Sequence, residues 1–308
     1  MMKKTALLVA ALLVIALFWA VPAWPGTIPS SIVPEGARWV AHLDMEKFVA
    51  TKLFEFLDKD GRFDIKSRDA NRWLKMDLTK DVTGVTVFGF EPGGKGQAVF
   101  AIAGKFDKAR LLTLLDLAED HTETPYGSFT LYSTGGDEYG AFINDGLIVF
   151  SESREAVEKV LDTAGGKAKN FSATPLGASF KDVPAGAFLS GIMPDLSKLS
   201  EMNSQSKILE KASGLFFVAQ EKQDALQIRL QVTADSPENA KNMADMVQGI
   251  IAMGRLAGNE GDMAKAAALI DGLQVKLDGK VLKLEFERPS REIADVLSKG
   301  RGLHGLLD

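Results

Sequence analysis

Residues 82–117 read as strand, glycine-rich turn, strand and helix, and this order recurs roughly 130 residues later. In the first instance Val85-Thr-Val-Phe-Gly-Phe90 and Gln97–Gly104 flank the turn Glu91-Pro-Gly-Gly-Lys-Gly96, and a leucine-laden helix opens after Asp107. In the second, Gly214–Val218 and Ala225–Thr233 flank the turn Glu221–Asp224, and Ser236 opens a helix. Adjacent strands joined by short turns pair antiparallel, whereas parallel pairs need a crossover of a dozen residues or more. A chain carrying this unit twice is therefore predicted to be α+β, with mostly antiparallel sheets and helices mainly on one face.

The flanking segments extend the correspondence. Pro34-Glu-Gly36-Ala37 and Pro184-Ala-Gly186-Ala187 each precede a strand, Arg38–Leu43 and Phe188–Met193. Ser153-Arg-Glu155 and Ser290-Arg-Glu292 each open a closing helix after a hairpin. The hairpin turns are Asn144-Asp145-Gly146 and Asp278-Gly279, residue types that tolerate positive φ. These matches predict two related halves, each a strand-helix-hairpin-helix-hairpin-helix unit, over residues 24–183 and 184–308. Side-chain acceptors at Asp44, Asp107, Ser153 and Ser236 stand where each following helix needs its first amides satisfied.

The first residues have another character. Met1-Met-Lys-Lys4 is basic, Thr5–Ala20 is an almost unbroken apolar run, and Val21-Pro22-Ala23 offers small residues for cleavage. Residues 1–23 therefore read as a secretory signal peptide, with an uncleaved inner-membrane anchor over residues 5–21 as the alternative. The expected address is periplasmic or extracellular. The absence of cysteine excludes disulfides, thiolate metal sites, cysteine nucleophiles and a lipid-bearing N-terminal cysteine. A formal net charge of −5, made more negative by loss of Lys3 and Lys4, argues against a nucleic-acid partner. Membrane contact is expected only through the N-terminal segment.

Strand patterning separates the halves. In Gln227–Thr233 and Val281–Glu287 apolar and polar residues alternate, so one sheet face is wet and the other helix-covered. In residues 98–103 both Val99/Ala101/Ala103 and Ala98/Phe100/Ile102 are apolar. That sheet is either covered twice or leaves a hydrophobic groove beneath the Leu111–Leu117 helix, for which Phe88, Phe100 and Ile102 are the candidate lining.

Motifs for chemistry are sparse. Gly89–Gly96 resembles a phosphate loop through Lys95, but Gly96 stands where a magnesium-holding Ser or Thr belongs and a strand follows. Asp58, Asp60 and Asp64 flank Gly61 like part of a calcium loop, yet Phe56 and Ser67 occupy the first and last ligand positions. A register starting at Asp58 and ending at Asp69 displaces the essential glycine instead. Of three histidines, His42 shares a strand face with Asp44, His121 lies in a polar turn and His304 in a glycine-rich tail. No HExxH, Gly-x-Ser-x-Gly or nucleophile–base pair is present. Met243, Met246, Met253 and Met263 form a stripe of the kind that fills cores or lines adaptable surfaces.

The opening Pro34-Glu-Gly-Ala37-Arg-Trp-Val-Ala-His-Leu-Asp44, followed by a helix and the hairpin–helix units, is similar to bacterial exported proteins known only as domains of unknown function. The resemblance runs over most of residues 34–298 and implies no activity. The expectation is a non-enzymatic envelope protein, binding or structural, without a cofactor, whose partner is a protein or an apolar small molecule. The alternatives are a carrier of an apolar ligand and a calcium-dependent module using residues 58–69.

Overall fold

The computed structural model describes residues 29–59, 76–91, 98–118, 120–194, 196, 211–256 and 272–299. The signal segment, Asp60, Asp64, Asp69, residues 92–97, Met263, His304 and most of two further stretches that the sequence marks as helical, Ala70–Met76 and Asp195–Lys211, lie outside the described residues. The elements begin with β1 (Trp39–Asp44), α1 (Met45–Val49), α2 (Lys52–Lys59), α3 (Leu78–Asp81), β2 (Val82–Gly89), β3 (Val99–Gly104) and α4 (Lys108–Leu115). Then come β4 (Thr122–Tyr126), β5 (Phe129–Ser133), β6 (Tyr139–Asn144), β7 (Leu147–Ser151), α5 (Arg154–Ala164) and α6 (Pro175–Ser179). The remainder are β8 (Ala187–Met193), β9 (Ala212–Lys222), β10 (Ala225–Ala234), α7 (Pro237–Leu256), β11 (Leu273–Asp278), β12 (Val281–Pro289) and α8 (Ser290–Lys299). The fold is mixed α and β, with antiparallel pairing throughout the ladders quoted below.

The chain divides into two compact units, Met1–Val49 with Asp64–Val183 and Ala50–Phe63 with Pro184–Asp308. In the first, the strand order is β1-β2-β3-β7-β6-β5-β4. Pairs Val40↔Phe88, Phe88↔Val99 and Ala101↔Val149 place Val40, Phe88, Val99, Ala101 and Val149 on one face, because directly opposed residues point the same way. All five are at most 1% exposed. Helix α5 covers this face with Val157, Val160 and Leu161, and Lys159 reaches over the Phe90 ring. The helix starts where Ser153 Oγ accepts from the Ala156 amide at 3.2 Å.

In the second unit the strand order is β11-β12-β10-β9-β8. Val232 and Leu282 point to the face that α7 covers, and with Ala240, Met243 and Ala244 they form its core. Met243 is thus core filling, while Met246 is 44% exposed. The other face carries a polar ladder. Gln220 Nε2 donates to Gln227 Oε1 at 2.9 Å, and Gln227 Nε2 to Glu287 Oε2 at 3.0 Å. A shallow depression of about 160 Å³ lies along this ladder, lined by Gln220, Gln227, Arg229 and Glu285. The alternation in β10 and β12 makes this face polar over those strands, whereas on β9 and β8 the same face carries the buried Val218 and Ile192.

Turn chemistry meets expectation at Asp278-Gly279, where Gly279 takes φ 57°, and departs from it at two other hairpins. At Asp145-Gly146 the chain turns without positive φ, and Gly146 N donates to Asn144 Oδ1 at 2.8 Å. The β9–β10 turn uses left-handed backbone at two non-glycine residues, Gln223 (φ 53°) and Asp224 (φ 59°). Consecutive positive φ matches the right-handed twist of a two-residue hairpin, and tight strand pairing on both sides enforces it here.

Helix α2 packs with α8, where Arg291 lies over the Phe56 ring, and one carboxylate ties its start to β9. Glu221, near the end of β9, accepts from the Lys52 amide at 2.7 Å and the Leu53 amide at 2.9 Å. The first amides of a helix lack intrahelical partners and attract negative charge. The Ser290 hydroxyl donates to the same carboxylate and so holds Glu221 in place for α2. Glu221→Ala is expected to cost about 2–3 kcal/mol, since hydrogen bonds to a charged group are worth about 1.5–3 kcal/mol and three donors lose their acceptor. Urea denaturation reads this as a lower midpoint; an unchanged midpoint would mean that water replaces the carboxylate without loss.

Candidate functional site

The opposite face of the first unit's sheet is also apolar. Two cross-strand rungs can be followed through the pairing register. One runs Ala41–Val87–Phe100–Phe150–Gly140–Tyr132, the other Leu43–Val85–Ile102–Ile148–Phe142. Phe100 and Phe150 stack with centroids 5.1 Å apart and planes 9° from parallel, and Tyr132 meets Phe142 edge-on at 6.0 Å. Gly140 stands between Phe150 and Tyr132 and adds no side chain to the rung; a Cβ there would stand 3.1 Å from the Val149 carbonyl oxygen.

Burial distinguishes this face from its reverse. Leu43 and Val85 are buried, but Ala41, Val87, Phe100, Ile102, Phe142, Ile148, Phe150 and Tyr132 are all only half-buried. Monomeric proteins seldom leave contiguous apolar surface uncovered without a use for it. Helix α4 borders the face. Asp107 Oδ1 accepts from the Arg110 amide at 3.0 Å to start the helix, and Lys108 Nζ lies 5.1 Å from the Phe142 centroid. No residue of α4 is fully buried, and Leu117 beyond its end is 71% exposed.

The three residues expected to line one groove do not share a face. Phe100 and Ile102 belong to this rung pair, whereas Phe88 is fully buried on the reverse face and meets Phe90 edge-on at 6.5 Å. A groove lined by Phe88, Phe100 and Ile102 together is thereby corrected: Phe88 pairs with Val99, one position out of phase with Phe100, and strand side chains alternate. The residues that accompany Phe100 come from β7 and β6, which sequence spacing placed in a separate hairpin.

The other candidates fall apart from this face. Asp58 lies in the last turn of α2, and its proposed calcium partners Asp60 and Asp64 lie outside the described residues. His42 and Asp44 do share a face, but each meets a different neighbour. The His42 ring nitrogen Nδ1 is 3.3 Å from Thr86 Oγ1, while Asp44 Oδ1 accepts from the Lys47 amide at 2.7 Å and Oδ2 pairs with Lys47 Nζ at 2.6 Å. Asp44 is thus the helix cap of α1. Burial pushes its carboxyl up to about 6, against the lowering effect of Lys47.

One constellation was not anticipated, because the sequence sets His121 in a polar turn and does not join it to Asp116. Asp116, His121 and Glu123 hold one ligand atom each within 4.8 Å of one another. Asp116 belongs to the end of α4 and Glu123 to β4, so only folding joins them.

No family model matches the chain, and no curated protein matches it in sequence. Among solved structures, crystal form III of TP0453 superposes with a TM-score of 0.52 over 89% of this chain and 99% of that one, at 10% identity. Forms IV and I of TP0453 give TM-scores of 0.49 and 0.48 at 9% and 10% identity, each over 89% of this chain and over 97% and 98% of theirs. At this identity the likeness is one of fold.

Proposed function

We propose that this chain is an exported, non-enzymatic envelope protein that acts by contact, and that the half-buried aromatic face of its first unit is the contact surface. The observation carrying this reading is the contrast between the two faces of one sheet. Phe88, Val99 and Val149 are sealed, while Phe100, Ile102 and Phe150 across the same strands are not. Apolar area left partly in water is unfavourable by about 25 cal/mol per Å², so covering it with a partner supplies binding energy. The leader-like residues 1–23 support export. The partner is an apolar small molecule or an apolar protein surface.

The internal repeat belongs to the same reading. Strands β1-β2-β3-β7-β6 of the first unit and β8-β9-β10-β12-β11 of the second run in the same order, with the hairpin β4–β5 extra in the first. That order supports duplication. The two units differ in what their sheets expose: the second has a polar ladder over β10 and β12, the first a half-buried aromatic face.

The test uses the full mature chain and an apolar fluorescent probe, anilinonaphthalene sulfonate. Phe100→Ser with Phe150→Ser is expected to weaken probe binding at least ~10-fold, the value of about 1.4 kcal/mol, while circular dichroism stays unchanged. Equal probe binding by the double variant, with its fold intact, removes this face from consideration.

A further inference from the structure

We propose that Asp116, His121 and Glu123 form a binding site for a divalent transition-metal ion of the zinc type, tying the end of α4 to the edge strand β4. The geometry of the histidine is the starting point. His121 Nδ1 lies 3.3 Å from the Ala118 carbonyl oxygen. A carbonyl only accepts, so Nδ1 carries the proton and the other ring nitrogen of the neutral imidazole is left with a lone pair. This is the orientation that metal-ligating histidines adopt, with the distal N–H held by a backbone carbonyl.

That lone pair faces an anion. His121 Nε2 is 3.2 Å from Asp116 Oδ1, and Glu123 supplies the third ligand atom within the 4.8 Å group. A metal ion bound to both Nε2 and Oδ1 would replace this contact between a lone pair and a carboxylate with two coordinate bonds. Two ligands each about 2.1 Å from one zinc ion at a tetrahedral angle are roughly 3.4 Å apart, which leaves room for an ion between these two atoms. One imidazole and two carboxylates suit zinc, cobalt or nickel; calcium prefers oxygen ligands alone. The exposure of Asp116 and Glu123 leaves further positions open to water.

The three ligands are anchored independently. Asp116 closes α4, its own amide donating to Leu112 O at 2.9 Å. The Ala118 and His121 amides donate to Leu115 O and Ala118 O and hold the turn. Glu123 is fixed by strand pairing opposite Tyr132, so it extends the aromatic rung Phe100–Phe150–Gly140–Tyr132 to the sheet edge. An ion here would therefore fasten α4 beside the aromatic face. The assignment stands whether or not that face proves to be the contact surface.

The experiment is cobalt titration of the untagged full mature chain, followed by absorbance, with zinc competition. One cobalt per chain, displaced by zinc, is expected. Both His121→Gln and Glu123→Gln, which are surface changes compatible with folding, should weaken binding ~10-fold or more. A second readout is thermal unfolding, in which zinc should raise the midpoint of the parent chain and not that of His121→Gln. Absence of stoichiometric cobalt at millimolar concentration, or identical titrations for all three proteins, overturns the site.

Discussion

Phe88→Ala is expected to cost about 3–5 kcal/mol, whereas Phe100→Ala, on the adjacent strand, should cost well under half of that. The difference follows from which way each ring points. Phe88 is 0% exposed, packed between Val40 and Val99 on the face sealed by α5, so truncation removes its transfer energy and leaves a cavity. Phe100 is half-buried and rests on Phe150, so its removal exposes a neighbour without opening a closed void. Urea denaturation of the two variants measures this directly. Comparable losses would mean that both faces of this sheet are core, and the contact surface proposed above would have no standing. The pair thus tests architecture and function in one experiment.

The parity of residues 98–103 was legible in the chain, and so were the caps. Asp44, Asp107, Ser153 and Ser236 each accept from a backbone amide three residues on, as their positions before apolar periodic runs imply. The polar part of the second unit's sheet was legible for the same reason: polar and apolar residues alternate in β10 and β12, while Val218 and Ile192 bury the same face on β9 and β8. In β3 they do not. With both faces apolar, local pattern carries no information on which one a helix will cover, and Phe88 was grouped with the wrong partners. Burial there depends on α5, about fifty residues downstream.

Other failures share this distance dependence. Glu221 reaches amides 168 and 169 residues away, and nothing in the sequence near α2 records that its first turn would be satisfied from β9. The group Asp116, His121 and Glu123 was split because Asp116 reads as the tail of a leucine helix and the other two as a turn. The signal was present in the spacing, since a helix end followed by a five-residue turn into a strand can converge three ligands. It is a weak signal, and only the closed turn at Ala118 gives it geometry. The β9–β10 hairpin is a reversal of the usual rule: glycine at Gly146 predicted positive φ that the structure does not use, while Gln223 and Asp224 accept it under the constraint of eleven- and ten-residue strands.

Asp44 should make the stability of the chain fall as pH rises, and Asp44→Asn should abolish that dependence. The Asp44 side chain is only 1% exposed, with the Lys47 amide and ammonium as its partners, and burial outweighs both in raising its carboxyl from 3.8 to about 6. Because the folded state holds the proton more tightly than the unfolded state, the stabilisation is fully present below pH ~4 and is lost as pH rises through about 6. A shift of roughly two units corresponds to about 3 kcal/mol. Asparagine keeps an oxygen for the Lys47 amide, since Asn and Asp cap helices about equally well. It gives up the ion pair to a partly exposed lysine, which is worth about 1 kcal/mol or less. Comparing the two proteins by urea denaturation at pH 4.5, 6 and 7.5 cancels every other titrating group they share. The parent should lose stability relative to the variant across that range, by up to about 3 kcal/mol, and the variant should be the more stable at pH 7.5. A difference that stays constant with pH would place a stable carboxylate in that buried position, with Lys47 holding its charge more strongly than burial opposes it.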